Sequence, residues 1–508
     1  MCGIAGIFHL ETAKPVDPDR LRKMTDSIAH RGPDGSGFWT APGVGLGHRR
    51  LSVIDLEGGA QPMLTPDEAQ ILSFNGEIYN FMEVRAELEG LGHQFLTSSD
   101  SEVILYAWRQ WGVECLKHLN GMFVFALYDQ RTRQLFLARD RLGVKPLFYA
   151  AVSDGSILFG SELKALLANP LLRREPNLQA VDDYLAFGYV PDQTSLLRGV
   201  KKLPAGHYLL LEQGKPEPAP MQYWDMDFSQ RHKASAGVLE EELVALLKHA
   251  VGSRMVADVP LGAFLSGGVD SSAVVALMAE QSRRPVKTCT IGFGEQSLDE
   301  TGYARQVAER FQTDHRKRIV AADDFGLIDT LADHFDEPFA DASALPTYRV
   351  CELARETVTV ALSGDGADEA MAGYRRHVFH HGEERVRGLL PQSFRGPAFG
   401  WLGSVYPKAD WAPRPFRAKS TLLSLARTGP EGYAEAVGVT TPAGRRQIYS
   451  DRMRGDLGDY QAEQRMIELM ENAPARNGLD QAQYADMKMW LPGDILTKVD
   501  RTSMAVGL

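Results

Sequence analysis

Over roughly the first 160 residues, apolar positions fall in short alternating runs that predict strands: "CGIAGIF", "LGHRRLSVI", "ILSFNGEIYN", "GMFVFALYD", "QLFLARD" and "ILFGSE". Helical spacing interrupts them at Leu21, Met24 and Ile28, and again at Val84, Leu88 and Leu91. This is an α+β pattern rich in antiparallel strands. From about Leu163 to Gly237 the pattern is less regular, with "EQGKPEPAP" its most polar and Pro-rich stretch. Within it, "VKKLPAGHYLLL" and "MQYWDM" predict a short hairpin packing the two halves of the chain together.

Beyond about Ala236 the period changes. A helix is followed by the strand "GAFL", the turn "SGGVDSS" and the Ala/Val-rich helix "AVVALMAEQ". The strand "KTCTIGF" comes next, then a helix carrying Tyr303, Val307 and Phe311, and later the strand "TVTVAL" before "SGDGADE". Strands alternating with helices predict a parallel sheet covered on both faces. The last 130 or so residues, through "YADMKMWLPGDILTKVDRTSMAVGL", read as mostly helical. The expected organisation is a first domain over 2–185, a connector over 186–235 and a second domain over 236–508.

With 508 residues the chain is too long for a single core. Hydrophobic residues at 44% and charged residues at 24% describe a globular protein without low-complexity tracts. A formal net charge of -11 argues against nucleic acid or a membrane surface as partner. Without a signal-like opening or a membrane-length apolar run, the expectation is a cytoplasmic chain. The four cysteines, Cys2, Cys115, Cys289 and Cys351, lack the close pairing of zinc or redox motifs. The last three read as buried free thiols; Cys2 differs because of where it stands.

Trimming the initiator methionine would leave Cys2 with a thiol and a free α-amino group, a nucleophile carrying its own base. A tetrahedral intermediate needs donors, and Asn75 and Gly76 in "FNGEIYN" offer an amide beside a glycine N–H. A substrate with α-amino and α-carboxylate groups needs carboxylates and an arginine, available from Glu77, Asp100 and Arg50. Each has a bland alternative. Asn-Gly is commonly a hairpin turn, Arg50 a strand-edge charge, and Asp100 a cap for a helix starting near Ser101.

Taken together, "MCGIAGIF", "HRGPDGSG", "HRRLSVIDL", "FNGEIYN" and "DRLGVKPLFY" resemble class II glutamine amidotransferases. The resemblance implies an N-terminal-nucleophile hydrolase-like αββα sandwich that releases ammonia from glutamine. It makes Cys2 the nucleophile and Asn75 and Gly76 the oxyanion hole, with Arg50, Val53, Glu77 and Asp100 holding the glutamine.

"LSGGVDSS" follows an apolar strand and opens a helix, so that N–H groups and hydroxyls converge at the positive end of a helix dipole, an arrangement that binds phosphate. The lysine of the common P-loop is absent, and Asp270 suggests a magnesium ligand instead. "LSGDGADE" places Asp365, Asp368 and Glu369 at the same sheet edge. These strings resemble the ATP pyrophosphatase loop of asparagine synthetases and related amide-forming enzymes. The resemblance implies an adenine-nucleotide-binding α/β domain that forms an acyl-adenylate, releases pyrophosphate and lets ammonia displace AMP. By similarity, ATP meets Leu265, Ser266, Gly267, Gly268, Asp270, Ser271, Ser272, Ile291, Ser363 and Gly364. Asp270 and Asp368 hold Mg2+, and Asp365 serves the acyl-adenylate step. Lys498 and Arg501 are the two candidates for a cation on the phosphates, with Arg501 at the position of the family lysine.

The chain stops just before the "R.PFLD" segment of its relatives, so a further C-terminal piece is expected. The segment "FDEPFADASALPTY" lacks the threonine- and arginine-rich pattern that binds aspartate in some asparagine synthetases. Aspartate is the default acceptor, and another carboxylate, of a polysaccharide or peptide, is the alternative. Transfer to phosphoribosyl pyrophosphate would need a different loop in place of "LSGGVDSS", and a non-catalytic nucleotide-binding scaffold would be expected to lose Cys2, Asn75, Asp270 and Asp365. The family commonly forms a homodimer. An internal ammonia passage lined by small and apolar residues is also expected.

Overall fold

The opening run forms strand β1 (Gly3–His9), and all 7 of its residues are buried. Ile4 and Phe8 enter one apolar cluster while Ala5 and Ile7 enter another, so both faces of the strand are covered. In the computed structural model, residues 2–11, 13–294, 299–320, 325–407, 411 and 418–508 are described. Met1, whose removal would free the Cys2 amino group, lies outside the described residues.

The first module is built from β1, β2 (Gly35–Ala41), β3 (Val44–Arg50), β4 (Met63–Leu64), β5 (Gln70–Ile78), β6 (Gly121–Asp129), β7 (Gln134–Arg139), β8 (Phe148–Ala151), β9 (Ser156–Gly160), β10 (Val200–Lys202), β11 (His207–Glu212) and β12 (Met221–Gln222). They form two six-stranded sheets in the orders β10-β8-β9-β1-β3-β2 and β12-β11-β7-β6-β5-β4. Ile4, Leu46 and Phe159 of the first sheet interlock with Ile71, Val124 and Leu137 of the second. The outer face of the first sheet is covered by helix Pro18–Asp26 through Leu21 and Met24. Helices Phe81–Gly90 and Asp100–Trp111 cover the second through Val84, Leu88 and Ile104. The result is the expected αββα sandwich, with strands buried on both sides reading as apolar runs.

Residues 200–222 do not form one hairpin. β11 pairs with β12 as expected, but β10 crosses to the other sheet and pairs with β8. The connector strands therefore complete the sandwich.

The second module carries a parallel sheet of β13 (Leu261–Phe264), β14 (Lys287–Phe293), β15 (Asp314–Val320) and β16 (Val360–Leu362), in the order β15-β14-β13-β16. β15 was not expected from the pattern, because "DHRKRIV" is charged. Its position at the sheet edge explains the charge, which blocks further pairing there. The helix Thr301–Phe311 forms, but it buries Thr301, Ala304 and Ala308, and Tyr303 is 66% exposed. Those small residues let the neighbouring loop approach closely. Farther on, the described chain is mostly helical. Phe187 and Tyr189 pack among Tyr433, Met466 and Met489 of this region. A π-helical stretch, Asp486–Ile495, continues into the helix Leu496–Met504. Among the described residues no helix is long and apolar enough to cross a membrane.

Candidate active site

Cys2 lies at the start of β1, buried, with its backbone N–H donating to Asn75 Oδ1 at 2.9 Å. Its Sγ lies 3.7 Å from the Leu51 carbonyl. Because Asn75 Oδ1 is engaged, its amide nitrogen points away from Cys2 N, and that Nδ2 is buried without a hydrogen-bond partner. An unpaired buried donor on a side chain that touches Cys2 is the kind of group an oxyanion hole requires. Asn75 and Gly76 sit inside β5, opposite Val124 and Phe123 of β6, and form no turn. A side chain at Gly76 would meet the Met122 carbonyl at 2.2 Å, so only glycine lets the strands pair this closely.

Glu77 and Asp100 flank the same pocket. Burial, reinforced by the Asp100 charge, pushes the Glu77 carboxyl up to about 8. Burial pushes Asp100 up to about 6, opposed by the Ile78 N–H that it accepts at 3.0 Å. Two carboxylates held in excess of compensating charge form a site for a cation such as an α-ammonium. The helix cap is Ser99, which accepts the Ser101 N–H at 3.2 Å, while the Asp100 carboxyl accepts the Ile78 N–H and lines the pocket. Arg50, at the end of β3, donates to the carbonyls of Asp55 and Leu56 at 2.7 and 2.9 Å and so holds the loop that carries Val53. Burial pushes the Cys2 thiol up, against the Leu51 contact and the Arg50 charge, so a base is needed to ionise it.

In the second module β13 and β16 are parallel neighbours, Leu261 facing Val360 and Ala263 facing Leu362. The loops Leu265–Gly268 and Ser363–Gly366 therefore leave the same sheet edge. Gly267 has φ +87°, and a Cβ there would lie 2.6 Å from the Ala304 nitrogen. Ser266 and Ser271 share a hydroxyl contact of 2.9 Å across the start of helix Val269–Gln281, and the buried Ser272 hydroxyl has no partner. A Cβ at Gly364 would meet Asp270 Cβ and the Ser271 nitrogen at 2.9 Å, so the two loops touch. Burial and the nearby Asp368 charge raise the pKa of Asp270. Ile291 lies in β14 two residues beyond Cys289, whose carbonyl accepts the Leu265 N–H at 2.9 Å.

One cavity of about 450 Å³ joins these regions. Cys2, Arg50, Val53, Gly76, Glu77 and Asp100 line it at the first module, and Ser363, Asp365 and Gly366 at the second. Met122, Val144, Val251, Leu491 and Val499 lie along its wall. Lys498 and Arg501 part company: Lys498 Nζ donates to Asp341 and Ser343 at 2.9 and 2.8 Å, while Arg501 pairs with Glu162 of the first module at 2.8 Å.

Sequence reasoning assigned no role to the charges joining the modules. Arg31 is fully buried and donates to the Cys2 carbonyl at 3.1 Å, to Glu162 at 2.7 Å and to Asp500 at 2.7 and 2.9 Å. Lys145 adds a 3.2 Å contact to Asp500. Burial alone would raise Asp500, but Arg31 and Lys145 hold its carboxyl well below the usual range. Arg31, Lys145 and Asp500 stand within the strings "HRGPDG", "RLGVKP" and "TKVDR". A cation and an acid recurring beside chemical motifs was the available signal; which met which was not.

The family described as "Glutamine amidotransferase domain" matches residues 1–224, and that described as "Asparagine synthase" matches residues 242–508. "Asparagine synthetase [glutamine-hydrolyzing] 1" of Bacillus subtilis is 32% identical over 525 residues, covering 100% of this chain and 78% of that protein. "Asparagine synthetase [glutamine-hydrolyzing] 3" of the same organism is 35% identical over 401 residues, covering 74% and 63%. A Methanocaldococcus jannaschii relative is 39% identical over 414 residues, covering 77% of this chain and 78% of its own. The αββα sandwich with a leading cysteine, joined by one cavity to a two-loop nucleotide-type sheet edge, agrees with these matches: the chain belongs to the glutamine-hydrolysing asparagine synthetase family.

Proposed function

We propose that the chain makes asparagine from aspartate, with glutamine as nitrogen donor and ATP as activating reagent. Cys2 Sγ attacks the glutamine side-chain carbonyl, and its proton passes to the Cys2 α-amino group exposed by loss of Met1. Asn75 Nδ2 and the Gly76 N–H receive the oxyanion. Collapse breaks the carbon–nitrogen bond, the amino group returns the proton to the leaving ammonia, and water hydrolyses the thioester to glutamate. Glu77 and Asp100 take the glutamine ammonium and Arg50 its carboxylate.

At the second site the Leu265–Ser272 and Ser363–Gly364 loops hold ATP. An aspartate oxygen attacks the α-phosphorus, pyrophosphate leaves, and ammonia then displaces AMP from the acyl carbon, with Asp365 beside that centre. Asp270, raised by burial and then by the nearby Asp368 charge, and Asp368 suit Mg2+ bound together with phosphate oxygens, which would neutralise charge on the nucleotide. Lys498, paired with Asp341 of the second module, and Arg501, paired with Glu162 of the first, are the two candidate cations for the phosphates.

The observation that carries this reading is the single cavity lined by both Cys2 and Asp365. A second reading keeps both half-reactions with another carboxylate acceptor. Lys498 is already paired with Asp341, and burial with the Asp341 charge pushes Asp494 up to about 7, surroundings that offer little to the second carboxylate of aspartate. Pyrophosphate release from ATP and magnesium with glutamine, with and without aspartate, tests both. Aspartate-dependent pyrophosphate matched by asparagine is the expected result. Glutamine hydrolysis without it would replace aspartate by another carboxylate.

A further inference from the structure

The loop after β3, which presents Leu51 to the Cys2 thiol and Val53 to the pocket, is held at its centre by a residue of the other module. Asp258 donates its backbone N–H to the Val53 carbonyl at 2.9 Å. Its carboxylate accepts the Asp55 N–H at 2.8 Å. Asp55 is the hub of this loop. Its φ is 50°, a left-handed conformation that persists only where surroundings fix it. Its carbonyl accepts Arg50 Nη2 at 2.7 Å and the Gly59 N–H at 2.9 Å. Its carboxylate accepts the Gly58 and Ser98 N–H groups, each at 2.8 Å, and Ser98 leads into Asp100.

Every side chain assigned to the glutamine comes from the first module, but the carboxylate that holds the Asp55 N–H comes from the second. Asp258 stands just ahead of β13, whose 4 residues span roughly 13 Å at about 3.3 Å per residue before the ATP-type loop begins. Pro260, between them, accepts the Thr359 N–H at 2.9 Å, so this lead-in is tied to β16 as well.

We propose that Asp258 is a positioning residue of the glutamine pocket: through Asp55 it sets Arg50 and the Val53 loop. This rests on the glutaminase reading above. Asp258 touches no reacting atom and acts only through the loop. Its side chain is exposed, so the effect is that of one partly solvated, charge-assisted hydrogen bond. Replacing it leaves the docking of the segment in place, because Arg254 still stacks on Tyr79 with its guanidinium 4.0 Å from the ring centre.

The test compares Asp258→Ala with Asp258→Asn in the full chain. Asp258→Ala is expected to raise KM for glutamine by roughly tenfold with kcat and ammonia-dependent synthesis little changed. Asp258→Asn, which keeps an acceptor oxygen, is expected to restore most of the KM. Hydrogen exchange at Asp55, Gly58 and Gly59 should quicken in the alanine variant and recover in the asparagine variant. An unchanged KM, or equal losses with glutamine and ammonia, overturns the proposal. If the unaltered chain hydrolyses no glutamine, the glutaminase reading falls, and exchange at those three amides alone judges the Asp258 link: unchanged rates reject it.

Discussion

Arg31 and Asp500 meet as a two-pronged ion pair at 2.7 and 2.9 Å, across 469 positions of sequence and between two modules. Both are buried, so removing Asp500 leaves Lys145 without its carboxylate and Arg31 with Glu162 alone. Asp500→Ala should destabilise the chain by about 3–5 kcal/mol in urea unfolding. Asp500→Asn, which keeps an acceptor oxygen, should lose less. The depressed Asp500 pKa places this contribution above the ordinary carboxylate range, and acidification through the folded value removes it. Equal stability of Asp500→Ala and the unaltered chain would show that the pair contributes nothing.

The two half-reactions should separate by mutation. Cys2→Ala is expected to abolish glutamine use and spare ammonia-dependent amide synthesis. Asn75→Ala should retain Cys2 but lower kcat for glutamine hydrolysis by about 100-fold or more, because the oxyanion loses its side-chain donor. Glutamate release and ammonia-driven product formation, measured side by side, decide this.

Glutamine binding should strengthen as pH rises. With Glu77 near 8 and Asp100 near 6 in the empty pocket, both carboxyls are largely protonated at low pH, and an incoming ammonium must displace those protons. KM for glutamine should therefore fall between about pH 6 and 8, by up to tenfold per unit for each group still protonated. Glu77→Gln should weaken binding and flatten the upper part of the profile. A flat profile in the unaltered chain would remove these carboxyls from ammonium recognition.

Gly267→Ala addresses the other site. It forces a side chain into a left-handed backbone and 2.6 Å from the Ala304 nitrogen, at a strain of about 1–3 kcal/mol from the backbone alone. Acceptor-dependent pyrophosphate release should drop by tenfold or more, with glutamine hydrolysis intact. Unchanged pyrophosphate release would place the nucleotide elsewhere.

Much of this architecture is legible along the chain. β1 is buried on both faces, and its apolar run says so directly. Asn75 is harder: Asn-Gly reads as a turn until the unpaired amide beside Cys2 is seen inside β5. The helix around Tyr303 is correctly periodic, yet its buried face is Thr301, Ala304 and Ala308, because the Gly267 loop selects small neighbours over large apolar ones. β15 escapes notice since an edge strand carries the charges of a surface. Pairings such as Arg31 with Asp500, or Asp258 with Asp55, depend on how two separately folded modules dock, and local pattern holds no information about that register.

The wall of the cavity between its two ends has a consequence for which form of nitrogen arrives. Met122, Val144, Val251 and Val499 offer little to solvate an ion, and Lys145 and Asp500 on the same wall neutralise one another, so ammonium would give up more hydration here than uncharged ammonia. On the proposed reading, such a wall filters by protonation state: the species reaching an acyl-adenylate along it would be the free base with its lone pair available, at a pH where bulk water would hold nearly all of it as the unreactive cation.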